Sequence, residues 1–339
     1  MKKLAVFLVA VASLCIIGSL SPANLLGAEP VVLKAAGAWP QTSPFAQMYF
    51  KYFDLVKEMS KGQLQIKWIG GPEYIKEKDL PTAASTGTID LFHTSLGYHS
   101  GQVPEAAIAD SYPTYRSYKS EPEAYFEVRN IMAPVFEKGL KAKTLGEIQV
   151  FPFFVFIKKP ISRIEDFKGL KIRAAGGFAP FVVSALGAIP TTTPTTEVYM
   201  ALERGVIDGA VRNLPAINTF REYEFAKFAV AHPVTWATGE VCISLRAWKK
   251  LSKEMQNVLS DAGKEVTKLA AVHWENMDQV LMKKFPEQKT TFWDPPEAMK
   301  KAMTETIQKA AVEDARKLSP KLADSMIAAF EKTYKKAGR

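Results

Sequence analysis

From Leu251 onward, apolar residues recur at 251, 255, 258, 259, 262, 266, 269, 270, 277, 280 and 281, and no proline intervenes until Pro286. That spacing has the 3.6-residue period of an amphipathic helix, and Ser252 stands where an N-cap belongs. At a rise of 1.5 Å per residue such a helix reaches about 50 Å. One lobe of ordinary size is shorter than that. The run therefore predicts a helix that braces two bodies, and everything before it has to supply them.

The preceding residues repeat one rhythm twice. The first pass reads as a strand over 31–36, a helix over 45–60, a strand over 63–69 ended by Gly70-Gly71-Pro72, a helix over 79–86 and a strand over 89–92. The second opens on 148–157, where Phe151, Phe153, Phe154 and Phe156 surround Pro152. A strand over 170–173, helices over 178–186 and 197–203, and Val206-Ile207-Asp208-Gly209 as a strand entering a turn complete it. Two more helices are expected over 297–318 and 321–335. Alternation of this kind is the mark of an α/β fold with a largely parallel sheet. With no low-complexity linker between the passes, two lobes joined by crossing strands are expected: 29–150 plus 239–278 in lobe I, and 151–238 plus 279–339 in lobe II.

The N-terminus reads as a secretory signal peptide over 1–28. Lys2 and Lys3 precede the apolar stretch Leu4 to Leu20, and Leu26-Gly27-Ala28 offers a small residue at a cleavage position near Ala28. The run is short for a span of about 20 apolar residues, though an uncleaved anchor is the alternative. Cys15 follows Leu14 rather than a small residue, which speaks against a lipid anchor. Cleavage would leave roughly 310 residues outside the cytoplasm, enough for two domains. Cys242 would then be alone, so no internal disulfide is expected and a buried thiol is. The net charge is +9, but the lysines are scattered and no basic stripe with interleaved aromatics exists. Nucleic acid is not an expected partner, and mild steering of small anions is.

Motifs for covalent or cofactor chemistry are missing. There is no glycine-rich phosphate loop, no GxGxxG after a strand and no GxSxG elbow. The histidines His93, His99, His232 and His273 show no HExxH spacing. No cofactor and no metal is expected, and an enzyme is not. An enzymatic reading would need a positioned base, for which Glu73 and His93 are the only candidates.

The segment Asp166-Phe167-Lys168-Gly169-Leu170-Lys171-Ile172-Arg173 resembles the central signature of TRAP-transporter solute-binding proteins, the DctP-type family. The resemblance continues through Ala185-Leu186-Gly187-Ala188-Ile189-Pro190, Glu197-Val198-Tyr199-Met200-Ala201-Leu202 and Gly205-Val206-Ile207-Asp208-Gly209, and earlier through Gly87-Thr88-Ile89-Asp90 and Pro104-Glu105-Ala106. It implies a two-lobed, periplasmic-binding-protein-like fold, a ligand cleft between the lobes, and closure on a small organic acid. It also implies a periplasmic monomer that docks onto integral membrane subunits driven by an ion gradient. A receptor role for a sensor or another transporter on the same fold is the alternative.

By this resemblance Arg173 holds the substrate carboxylate, a role for which a planar guanidinium with parallel donors is suited. The competing reading pairs it with Glu165 or Asp166. Arg212 stands where sialic-acid-binding members carry an asparagine, and either charges the ligand site or pairs with an acid such as Glu222. Phe153 stands where those members have a second arginine, which argues against a sialic acid. Strand alternation lets only one of Phe153 and Phe154 face the cleft. Trp39, Glu73, Tyr98, Thr195 and Trp236 are further cleft candidates by position. The set describes an aromatic-lined pocket around an arginine anchor, suited to a monocarboxylate with an apolar or aromatic body. Glu73, if it faces the cleft, would favour an amine.

Overall fold

The computed structural model describes residues 29–110, 118, 121–174 and 178–336. The expected leader over 1–28 lies outside these. The strands are β1 (Val31–Gly37), β2 (Leu64–Gly70), β3 (Leu91–Thr94), β4 (Ala142–Ile157), β5 (Lys171–Arg173), β6 (Ile189–Thr191), β7 (Gly209–Arg212), β8 (Phe228–Val230), β9 (Thr235–Ser244) and β10 (Thr291–Trp293). They run in the order β2-β1-β3-β9-β4-β7-β5-β6, with β8 and β10 continuing from the end of β4.

The sixteen-residue β4 connects the two halves. Its residues 142–153 pair antiparallel with β9, and 154–157 pair with β7. Around the parallel strands β1, β2 and β3 lies one apolar core that includes Tyr52, Leu64, Phe92 and Trp274. Around β5, β6 and β7 two cores lie on opposite faces of the sheet. Strand alternation sorts β4 between them: Val155 and Ile157 enter the core with Phe167 and Val182, while Phe154 and Phe156 enter the one with Leu202 and Phe285. A sheet covered on both faces needs such continuous apolar strands.

The long helix covers Lys253–Glu287, and the Ser252 side chain accepts from the Met255 amide as its N-cap. Leu259, Val266, Ala270 and Trp274 bury into the first core, and Leu281 and Phe285 into a core of the second half. It meets β4 backbone to backbone. A Cβ on Gly146 would stand 2.4 Å from the Gly263 carbonyl oxygen, and one on Gly263 would stand 2.1 Å from that of Leu145. The contact is stapled by polar groups: the Glu147 amide donates to Thr267 Oγ1 (2.9 Å), and Trp274 Nε1 donates to the Ile148 carbonyl (2.8 Å). Cys242 is buried in the first core, as expected of a structural thiol.

One expectation is corrected. Residues 206–208 are a turn, and the strand is Gly209–Arg212. Asp208 holds that turn by accepting from the Lys171 amide (2.9 Å), and Gly209 starts the strand because a Cβ there would meet the Phe156 carbonyl oxygen at 2.4 Å. A twenty-residue helix, Glu121–Leu140, occupies a stretch given no element from sequence. The last helix, Pro320–Lys336, puts Ala323 and Met326 into the first core. Among the described residues no helix is long and apolar enough to cross a membrane.

Candidate functional site

Strands β5 and β7 are parallel neighbours, with Arg173 beside Ala210. Arg173 ends β5 and Arg212 ends β7, so both guanidinium groups emerge past carboxyl strand ends, where α/β sheets place ligands. They border a cavity of about 100 Å³ that is also lined by Trp39, Phe45, Ser95, Tyr98, Gln149, Phe151, Phe153, Phe178, Ala179, Thr195, Asn213, Ala216, Thr235, Trp236 and Thr238.

Arg173 is 2% exposed. Its Nε donates to the Thr193 carbonyl and one terminal nitrogen to Thr195 Oγ1, both at 3.1 Å. These bonds use only part of the five donors of a guanidinium. Among the described residues no carboxylate forms a salt bridge with it. Asp166, the nearby acid, accepts instead from Arg163 Nε (3.0 Å) and the Ser162 amide (2.8 Å). Burial, and then the like charge of Arg212, bring the Arg173 pKa down to about 10. It remains a cation at neutral pH, buried and ready for an anion.

Arg212 is in a different state. It is 4% exposed and forms a two-pronged pair with Glu222, which is fully buried; Nε donates to Oε2 at 2.8 Å and the second nitrogen to Oε1. The Phe220 ring lies 5.5 Å from its guanidinium carbon. Of the two readings open from sequence, the pairing with Glu222 is the one the structure has. Arg221, at φ 55°, turns the chain so that Glu222 comes back beneath β7. A left-handed non-glycine residue costs about 1–2 kcal/mol, so the turn is held against its own preference.

Of the remaining candidates, Trp39, Tyr98, Phe153, Thr195 and Trp236 all border the cavity. Phe153 faces it, while Phe154 packs with Phe156 and Leu202 in the core behind. Trp39 stacks on Phe45 with centroids 4.6 Å apart, and Phe45 meets Phe151 edge-on at 5.6 Å. Tyr98 is 46% exposed and also borders the cavity, near enough to Arg173 and Thr195 to influence their electrostatics.

Two candidates fall outside. Glu73 is exposed, and its carboxylate accepts from the Gly71 amide (2.7 Å), closing its own loop rather than the cavity. His93 is buried beside Tyr49 and Gly239, and desolvation takes its pKa down to about 3. Neither borders the cavity, so neither serves as the base an enzymatic reading needed. Sequence reasoning missed Gln149, whose Nε2 donates to the Phe45 carbonyl (3.2 Å), and Asn213, whose Oδ1 caps the next helix at the Ala216 amide (2.8 Å). It also missed Glu77. Its carboxylate accepts from Thr94 Oγ1 (2.9 Å) and the Ser95 amide (3.1 Å), and burial takes its pKa up to about 7. Among the described residues no cluster of three His, Cys, Asp or Glu could hold a metal ion.

A larger hollow of about 640 Å³ lies beyond Trp236, between His232 and residues 297–308. Its cations are already matched: Lys300 contacts Asp294 (2.7 Å) and Glu297 (2.8 Å), and Lys301 contacts Glu305 (3.9 Å). The smaller cavity is the functional candidate because it alone of the two holds a buried cation with donors to spare.

Residues 35–317 match the family of bacterial extracellular solute-binding proteins, family 7, known as DctP. A monocarboxylate 2-oxoacid-binding periplasmic protein of Nostoc is 29% identical over 61% of this chain and 58% of its own length. The fold is that of TRAP periplasmic solute-binding proteins. An extracytoplasmic solute receptor of Bordetella pertussis, crystallised with pyroglutamic acid, superposes with a TM-score of 0.79 at 19% identity, over 89% of this chain and 99% of that one. A TRAP protein of Bordetella bronchiseptica with bound mandelate gives 0.75 at 23% identity, again over 89% and 99%.

Proposed function

We propose that this chain, which belongs to the DctP family of bacterial extracellular solute-binding proteins, captures a small monocarboxylate whose body is apolar or aromatic. The family is one of binding proteins, not enzymes. On this reading Arg173 takes the carboxylate through a forked pair of hydrogen bonds, and Trp39, Phe45, Phe151 and Phe153 enclose the rest of the solute. Tyr98 meets Arg173 and Thr195 from the other wall, so closing the cleft shields the anion from water. A solute can drive closure only through contacts missing in the open form, and these are of that kind. The loaded protein would work in the periplasm and deliver its solute to the membrane subunits of a TRAP transporter, moved by an ion gradient.

The single observation that carries this reading is a buried guanidinium with no carboxylate partner among the described residues, set against an aromatic wall. The relatives that bind 2-oxoacids, pyroglutamic acid and mandelate are consistent with it, since each of those solutes carries one carboxylate. Mass spectrometry of denatured, freshly purified protein should release an unmodified monocarboxylic acid. A thermal-shift screen should show stabilisation by 2-oxo and aryl monocarboxylates. Stabilisation by sugar acids and C4-dicarboxylates alone would overturn the proposal.

A further inference from the structure

We infer that Glu222 sets the charge of the binding cavity, and thereby selects solutes with one negative charge over those with two. The inference rests on the proposed carboxylate site. Two arginines reach the cavity, and both are almost fully buried. Left to themselves they would hold two positive charges and favour a dianion. Glu222 removes one of them. Both oxygens of its carboxylate face Arg212, at Nε and at a terminal nitrogen, and the carboxylate is buried away from solvent. Among the described residues Arg173 has no such partner; it donates to the Thr193 carbonyl and the Thr195 hydroxyl.

A second anion brought toward Arg212 would have to displace Glu222 or sit beside it. Displacement strands a buried carboxylate, and without displacement the cation is already matched, so the dianion gains nothing from Arg212 to offset burying its second charge. Phe153 and Phe151 add no donor for a second carboxylate. The left-handed Arg221 supports a dedicated role. A strained residue of this kind persists where its surroundings demand it, and here the demand is a carboxylate directly under the end of β7.

The test uses a matched pair, 2-oxopentanoate and 2-oxoglutarate, which differ by a methyl group replaced with a carboxylate. Calorimetry on the wild type should show a preference for the monoanion of about a hundredfold or more. Glu222→Gln should shift the ratio of the two affinities toward 2-oxoglutarate by at least about tenfold. Adding Arg212→Gln should reverse that shift, because the freed cation is gone. Should Glu222→Gln fail to fold, the Arg212→Gln, Glu222→Gln double variant, which buries no lone charge, decides the matter. Its ratio should stay near that of the wild type, since Arg173 alone sets the charge. A ratio unmoved by Glu222→Gln, or a tenfold change in the double variant, would overturn the inference while the wild type still binds 2-oxopentanoate. A wild type that binds no monocarboxylate would instead overturn the proposed function.

Discussion

The two walls of the cavity are built on opposite principles. One wall comes from the ends of parallel strands, and its reach is polar: Arg173, Arg212, Asn213 and Thr195. The other comes from the first half and the crossing strand, and it is largely aromatic: Trp39, Phe45, Tyr98 and Phe151. Strand ends suit the first task, because their side chains are held by a sheet and a guanidinium must be aimed. Stacked rings suit the second, because they bury area without demanding one shape. On the proposed reading, affinity for the acid group falls to one wall and choice of solute body to the other.

The sharpest way to break this division is to remove the anchor. Arg173→Ala should weaken every monocarboxylate by about 2–5 kcal/mol, since the anion would be buried unpaired. Arg173→Lys should recover little, because a point charge lacks the fork. Calorimetry with pyruvate and with phenylpyruvate would show both losses, equal in size if the walls are separable.

Trp39→Ala should act in the complementary way. It should cost phenylpyruvate about 1.5–3 kcal/mol through lost apolar burial while leaving pyruvate nearly untouched. Equal losses for the two solutes would erase the contrast. Tyr98→Phe tests the seam between the walls. Loss of its hydroxyl from Arg173 and Thr195 should cost about 1 kcal/mol, seen mainly as faster solute release in stopped-flow.

The smallest effect concerns Glu77. Its pKa in the fold is about 7, raised from 4.5 by burial. The folded state thus holds a proton that the unfolded chain has released between those values. The contribution of Glu77 to stability is therefore largest on the acid side and declines as pH rises toward 7. Glu77→Gln should flatten that decline and raise Tm at pH 8 by about 2–4 °C, with little change at pH 5. A melting series across pH would show it.

How much of this was legible in the sequence follows the range of each signal. The long helix was visible because its period is local and sustained, down to Ser252 as N-cap. Arg173 and Phe153 were visible through an ordered set of motifs, and alternation then separated Phe153 from Phe154. Glu73 failed because a short carboxylate two residues past Gly71 prefers its own backbone. Glu77, four residues on, enters a short helical turn and bonds to Thr94 and Ser95, a partnership across loops that no local pattern announces. The helix Glu121–Leu140 escaped because Pro134 interrupts an already weak stripe. The pairing of Arg212 with Glu222 could be named but not chosen, since it depends on a left-handed turn at Arg221.

The glycine contact between β4 and the long helix bears on where the molecule can bend. With Gly146 against Gly263 and the Glu147 amide and Ile148 carbonyl tied to the same helix, that stretch of strand and the helix move as one beam. Flexure of β4 is pushed beyond Ile148, toward the stretch paired with β9 that carries Phe151 and Phe153. On the proposed reading a solute pressing on those rings would then also push on the joint.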